Sequence, residues 1–411
     1  MFRLTALGCA ALLAGCATTS PFPEPAPERL PPDFPRPASP TPARGDPAIP
    51  GTPAAPPPGQ AVKPPPTERE VRSMIARLLP ANVKDRQGWA GDLYTAYASM
   101  GLPHAAPLYC ASIAVIEQES SFQSDPVVAG LPAIVWKELE TRGKKFGIPK
   151  LLIQAAMTKS SPDGRSYNQR IDSLKTEKQL NTLFEDMIAE LPAGKQLFAD
   201  YNPVRTGGPM QVSIAFAEQH VRERPYPYTP IRSVRDEVFT RRGGVYFGSA
   251  ILLDYPAPYT DVVYRFADFN AGRYSSRNAA FQAAVTRLSN KALALDGDLL
   301  RYNKGQAVNE PSSVEIALRT LAGRLRMSDG EIRRDLLLEK SAGFGQSTLF
   351  TRTFALADSV TGQPLPRQTM PQIDLKSPKI SRQLTTDWFA RRVEWRFRNC
   401  LARESSPLSG N

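Results

Sequence analysis

From residue 67 onward, apolar side chains recur at three- and four-residue spacing, the period of a helix with one buried face. The stretch TEREVRSMIARLLP is the first instance. Thr67 and Glu70 stand at capping-box spacing, and Val71, Met74, Ile75 and Leu78 share one face. The same period predicts helices over 88–100, 107–122, 132–145, 168–190, 209–223, 235–254, 259–270, 276–289, 312–325, 329–340 and 383–402. Alternating runs of strand type are scarce, and one short strand or hairpin is expected within 344–380. The chain therefore reads as mostly α, without an internal repeat of fixed period.

One predicted helix breaks its own pattern. Across 108–122, Leu108, Ala111, Ile113, Val115, Ile116 and Phe122 occupy one broad arc at about 100° per residue. Glu119 falls between Val115 and Ile116, inside that arc, whereas Glu117 falls on the polar side and reads as a solvated charge. A carboxylate on an apolar face is costly unless paired or protonated. Desolvation raises its proton affinity and suits it to general acid chemistry near neutral pH. A buried glutamate bridging to another helix is the alternative.

Residues 21–66 are a different polymer. They hold 19 of the 40 prolines and almost no large apolar side chains, so they cannot form a core and are expected to be an extended tether. Fully extended, their reach is on the order of 100 Å. Before them, MFRLTALGCAALLAGC carries Arg3, an apolar run over 4–13 and the tetrapeptide Leu-Ala-Gly-Cys. The run is too short for a permanent membrane span. It resembles the lipobox of bacterial lipoprotein signal peptides. That resemblance implies a leader over 1–15, lipidation at Cys16 and a membrane anchor. Ala17, in place of an Asp, implies the outer membrane, facing the periplasm.

Composition narrows the partners. A formal net charge of +11 over 411 residues favours polyanions. Zinc-finger and RNA-binding signatures are absent, which sets nucleic acid aside. The two histidines, His104 and His220, have no metal-ligand spacing around them, and no phosphate loop or nucleophile elbow is present. Neither metal nor cofactor is expected. Of four cysteines, Cys9 leaves with the leader and Cys16 is lipidated. Cys110 and Cys400 remain, as a disulfide or as two separately buried thiols.

Glu119 stands in the first of three motifs in order. QESSF with Asp125-Pro126 behind it, GGPMQVS over 207–213, and GGVYFGSAILL over 243–253 followed by FADFNAGRYSSRNAAF over 266–281 together resemble lytic transglycosylases of lysozyme-like fold. The whole is also similar to proteobacterial outer-membrane lipoproteins. The resemblance covers about 105–127 and 207–290. It implies a lysozyme-like helical domain over 67–290, with Glu119 as the catalytic acid. Ser120, Met210, Gln211, Tyr246, Phe269 and Asn270 would line the glycan site, and peptidoglycan strands would be the partner.

The departures from the family pattern are specific. About 90 residues separate Glu119 from Met210, so 128–205 is expected to be an inserted helical lobe over the groove. Phe269 stands where the family has Tyr. Asp268 replaces a small residue and is either a second carboxylate, as a true hydrolase would need, or a surface helix charge. Residues 291–411 are expected to form a helical C-terminal extension. Its last helix carries Trp388, Phe389, Val393, Trp395 and Phe397 on two opposite sides and would be packed through them, with Arg391, Arg392, Arg396 and Arg398 at its margins. A protein of this fold that binds glycan strands without cutting them is the competing expectation.

Overall fold

The computed structural model describes residues 65–230, 232–303, 305–375 and 384–404. The leader, Cys16 and nearly all of the Pro-rich tether lie outside the described residues. The fold is mostly helical, as the periodicity predicts, with three two-stranded antiparallel ribbons. No described helix is long and apolar enough to cross a membrane.

The chain opens with α1 (Glu68–Leu78), α2 (Arg86–Met100) and α3 (Ala106–Ser120). The capping box of α1 forms as expected between Thr67 and Glu70. Pro107 starts α3, where its missing N–H costs nothing. Five helices then occupy 128–205, the segment expected to be an inserted lobe: α4 (Leu131–Lys145), α5 (Lys150–Ala156), α6 (Tyr167–Asp172), α7 (Glu177–Ala189) and α8 (Gly194–Phe198). The ribbon of β1 (Thr206–Gly207) and β2 (Val212–Ser213) leads into α9 (Ile214–Glu223), α10 (Val234–Val238), α11 (Arg241–Leu253), α12 (Val262–Ala271) and α13 (Ser275–Ser289). After a second ribbon, β3 (Tyr302–Asn303) with β4 (Gln306–Ala307), come α14 (Ser313–Thr320), α15 (Ala322–Leu325), α16 (Asp329–Leu336) and α17 (Thr348–Thr361). The last ribbon pairs β5 (Asp374–Leu375) with β6 (Leu384–Thr385), and α18 (Thr386–Glu404) ends the described chain. Among the described residues, β5 is a short strand within the window 344–380 where a strand or hairpin is expected, and its partner β6 lies beyond that window.

Two apolar cores form. The first joins α1, α2, α3, α11 and α12 to the inserted lobe through side chains such as Leu93, Ile116, Phe184 and Phe247. The second runs from Ala280 to Ala357 and is built on α13 to α17 around Phe281, Phe344 and Phe354. The packing does not treat 291–411 as one extension, because α18 returns to the first core. Phe389, Ala390, Val393 and Cys400 are buried there, against α3 on one side and α12 on the other. Cys110 and Cys400 form a disulfide with Cα atoms 5.5 Å apart, which pins the far end of α18 to the helix of Glu119.

Glu117 is not the solvated charge its wheel position suggests. Arg396 Nη1 donates to Glu117 Oε1 at 2.6 Å, and Arg396 Nε donates to Gln118 Oε1 at 3.1 Å. The side of α3 that looks polar in sequence is the side that receives α18. Arg396 lies inside this contact rather than at a wet margin.

Candidate functional site

Glu119 occupies the last turn of α3 and is 2% exposed. The helix stops there because Ser121 and Phe122 both take left-handed backbone conformations, at φ 49° and 62°. Phe122 then turns edge-on to Trp89, 5.4 Å between ring centres. Ser120 does not face a ligand site. Its Oγ donates back to the Ile116 carbonyl at 3.0 Å, closing the final turn. Glu119 Oε2 is buried with no hydrogen-bond partner in the described structure. Burial pushes its carboxyl well above the ordinary glutamate value, and the nearby Glu177 carboxylate pushes in the same direction. Both effects favour the protonated form of Glu119 over what an exposed glutamate would show.

Glu177 comes from the lobe. Val127 bridges to Thr176, the Val128 N–H donates to the Lys175 carbonyl at 2.7 Å, and Thr176 Oγ1 donates to Asp125 Oδ2 at 3.0 Å. These contacts tie the chain just beyond α3 to the start of α7. Nothing local in the sequence announces the approach.

A cleft of about 740 Å³ opens beside Glu119. It gathers Gln211, Phe269 and Asn270, three of the residues expected at the site. None of its lining residues comes from 128–205, so among the described residues the lobe abuts the site without filling it. Asn270 sits at the end of α12, and its Oδ1 accepts from Thr386 Oγ1 at 2.9 Å. Gly272 follows with φ 111°, the conformation that lets the chain reverse into α13. Gln211 has φ 48°. Thr206 Oγ1 donates to Gln211 Oε1 at 3.3 Å, across the ribbon that holds the loop closed.

Met210 and Tyr246 do not reach the cleft. Met210 is fully buried under Gly248, where an added Cβ would meet its Sδ at 2.4 Å and its Cβ at 2.6 Å. Its role is to seat the Gly-turn on α11. Tyr246 is buried against Phe247, Tyr226 and His220, and its hydroxyl donates to the Pro225 carbonyl at 3.2 Å. His220 lines the cleft, and burial lowers its proton affinity.

Asp268 serves the fold. Its Oδ2 accepts from Tyr259 Oη at 2.7 Å, Tyr274 N at 2.7 Å and Tyr255 Oη at 3.2 Å, and its Oδ1 accepts from Ser276 N at 2.7 Å. It ties α12 to the turn that opens α13, and it is fully buried at the cleft rather than a surface helix charge. Burial raises its carboxyl above the usual value even so. Four donors leave it little capacity to activate a water.

The cleft is also lined by residues that the motifs do not mark: Gly297, Asp298 and Lys340, which flank segments of the second core in the chain, and Ile373, Asp374 and Leu375 at the last ribbon. No group of three or more His, Cys, Asp or Glu side chains able to hold a metal occurs among the described residues.

Comparison with known proteins gives a family and one close relative. A protein of Escherichia coli (strain K12), named uncharacterized protein YaiW, is 50% identical over 332 residues, spanning 81% of this chain and 90% of that protein. No solved structure matches. The family described as protein of unknown function (DUF1615) matches residues 82–403, most of both cores and α18 together, and the chain belongs to that family.

Proposed function

We propose that the protein is a lytic transglycosylase-like enzyme of peptidoglycan, with a lysozyme-like arrangement of helices around Glu119 and with Glu119 as its general acid and base. The observation that carries this is a buried carboxyl with one unpartnered oxygen, its proton affinity raised by burial, lining a cleft. Such a group can donate its proton to the oxygen of a MurNAc–GlcNAc bond as that bond breaks. An oxocarbenium-like centre develops on the sugar, and the new carboxylate stabilises it. The carboxylate then takes the proton of the C6 hydroxyl as that oxygen attacks the anomeric carbon. A 1,6-anhydro end forms, and Glu119 regains its proton. One acid suffices for this route, which agrees with the saturation of Asp268 by four donors. The side-chain amides of Gln211 and Asn270 would hold sugar hydroxyls, with Asn270 oriented by Thr386. A lipidated Cys16 and a Pro-rich tether would carry the catalytic part from the outer membrane to the wall.

The second reading is a glycan-binding lipoprotein without turnover. It is favoured by Phe269, which lines the cleft without the hydroxyl of the family's Tyr. Incubation of wild-type protein and Glu119→Gln with purified sacculi separates the two. Release of anhydro-muropeptides by wild type alone, with both proteins bound to sacculi, is the expected result. Equal sacculus binding without release by either would leave the binding function only.

A further inference from the structure

A second cavity, about 540 Å³, lies on the inserted lobe. Its lining carries four cationic side chains, Arg165, Arg170, Lys175 and Lys178, against a single carboxylate, Asp163. Asp163 is shared: Arg165 Nη2 lies 2.7 Å from it and Arg170 Nε 3.5 Å. Arg170 is buried, reaches Asp186 at 2.8 Å and lies over the Tyr167 ring. Arg165 Nη1 donates to Ser173 Oγ at 3.1 Å. The two guanidinium groups are therefore fixed in place. Lys175 and Lys178 enter no ion pair among the described residues and are exposed. Even with Asp186 counted, the cavity keeps an excess of positive charge, which a bound anion would offset.

The lining also limits what that anion can be. No aromatic side chain lines the cavity, so a nucleobase would find no stacking face there. Leu174 is the one apolar side chain. A short, flexible ligand with more than one carboxylate fits this chemistry better than a ring system. The position of the cavity adds a further constraint. Lys175 and Lys178 flank Thr176 and Glu177, the same short segment that pairs with Val127 and Val128 and brings a carboxylate to Glu119. The cationic cavity is thus linked in the chain, through Lys175–Lys178, to the carboxylate that acts on Glu119.

We infer that this cavity is a subsite for the carboxylate-bearing peptide that branches from the glycan strand, so that the inserted lobe reads the peptide while the cleft holds the sugars. The identity of the ligand rests on the peptidoglycan reading above; the demand for an anion rests on the cavity alone. The Lys175 and Lys178 side chains are exposed and enter no ion pair among the described residues, so their replacement is expected to leave the fold intact.

The test is calorimetric titration of the purified protein with free stem tetrapeptide, followed by the double variant Lys175→Gln/Lys178→Gln. Unfolding temperatures of the two proteins are compared to confirm equal folding. Wild type is expected to bind the peptide, with affinity falling as salt rises, and the double variant to bind roughly tenfold or more weakly. Unchanged binding in the double variant overturns the assignment. So does equal binding of a peptide whose carboxylates are amidated, or displacement of the peptide by equimolar inorganic phosphate, which would mark a phosphate site. Strand cleavage, assayed separately, distinguishes the two claims. Peptide binding lost in the variant without any cleavage by wild type would keep the subsite and remove the enzyme. Cleavage by wild type with peptide binding untouched in the variant would do the reverse.

Discussion

Glu339 offers a quantitative test of the packing around the cleft. It is fully buried just past α16, where its carboxyl accepts from the Leu299 N–H and the Tyr302 hydroxyl. Its own carbonyl receives Arg277 and Asn278, and Asn278 lines the cleft. Burial outweighs the two donors and raises the carboxyl from an ordinary 4.5 to about 7. The folded-state value lies above the unfolded one. Between pH 4.5 and 7 the native chain therefore keeps a proton that the unfolded chain has released. The stabilisation is complete below about 4.5 and is lost as pH rises through about 7. At about 1.4 kcal/mol per pH unit, the gap amounts to roughly 3 kcal/mol. Glu339→Gln mimics the protonated form: its amide oxygen can accept from Leu299, and its NH2 can donate to the Tyr302 oxygen. Urea unfolding of both proteins at several pH values gives the difference directly. The two should be about equally stable at pH 4.5, with the variant gaining up to roughly 3 kcal/mol relative to wild type by pH 8. Stability curves that stay parallel across this range would show that Glu339 is not held neutral.

Three other outcomes follow from the geometry. Removing the disulfide by Cys110→Ser with Cys400→Ser should cost about 2–5 kcal/mol, because the bond closes a loop of 290 residues in the unfolded chain; equal denaturation midpoints with and without reductant would contradict this. Gly248→Ala should cost roughly 1–3 kcal/mol in thermal unfolding, since the new Cβ lands on Met210 Cβ, which cannot swing aside as a terminal atom could. Glu177→Gln should lower the proton affinity of Glu119 by removing the nearby negative charge, moving the alkaline limb of the activity profile to lower pH; carboxyl NMR of Glu119 reads the same change without turnover.

Much of the fold is legible in the periodicity because most helices bury one face against a single core. The capping box expected at Thr67 and Glu70 sits where its helix begins, whereas the single helix expected over 168–190 is two, because Thr176 caps a new start after Asp172. Glu119 is legible for the same reason: its position on an apolar arc is a local property of α3. What could not be read depends on contacts between distant segments. Glu117 looks solvated until Arg396 arrives from 279 residues away. Thr386 and Asp374 carry no local mark of a binding site, yet the path of the last ribbon brings one to Asn270 and the other into the cleft. Met210 and Tyr246 show the converse. Their motif context marks them for substrate, whereas their packing under Gly248 and around Phe247 holds the turn and the helix that frame the cleft.

The central claim is that Glu119 breaks a glycosidic bond without water as nucleophile. Digestion of sacculi by the protein in 18O-enriched water, with mass analysis of the released MurNAc ends, tests it most directly. The account predicts anhydro ends, one water lighter than reducing ends and free of 18O, and none with Glu119→Gln. Reducing ends carrying one 18O atom would identify a hydrolase, and an absence of released sugars would contradict the enzyme altogether.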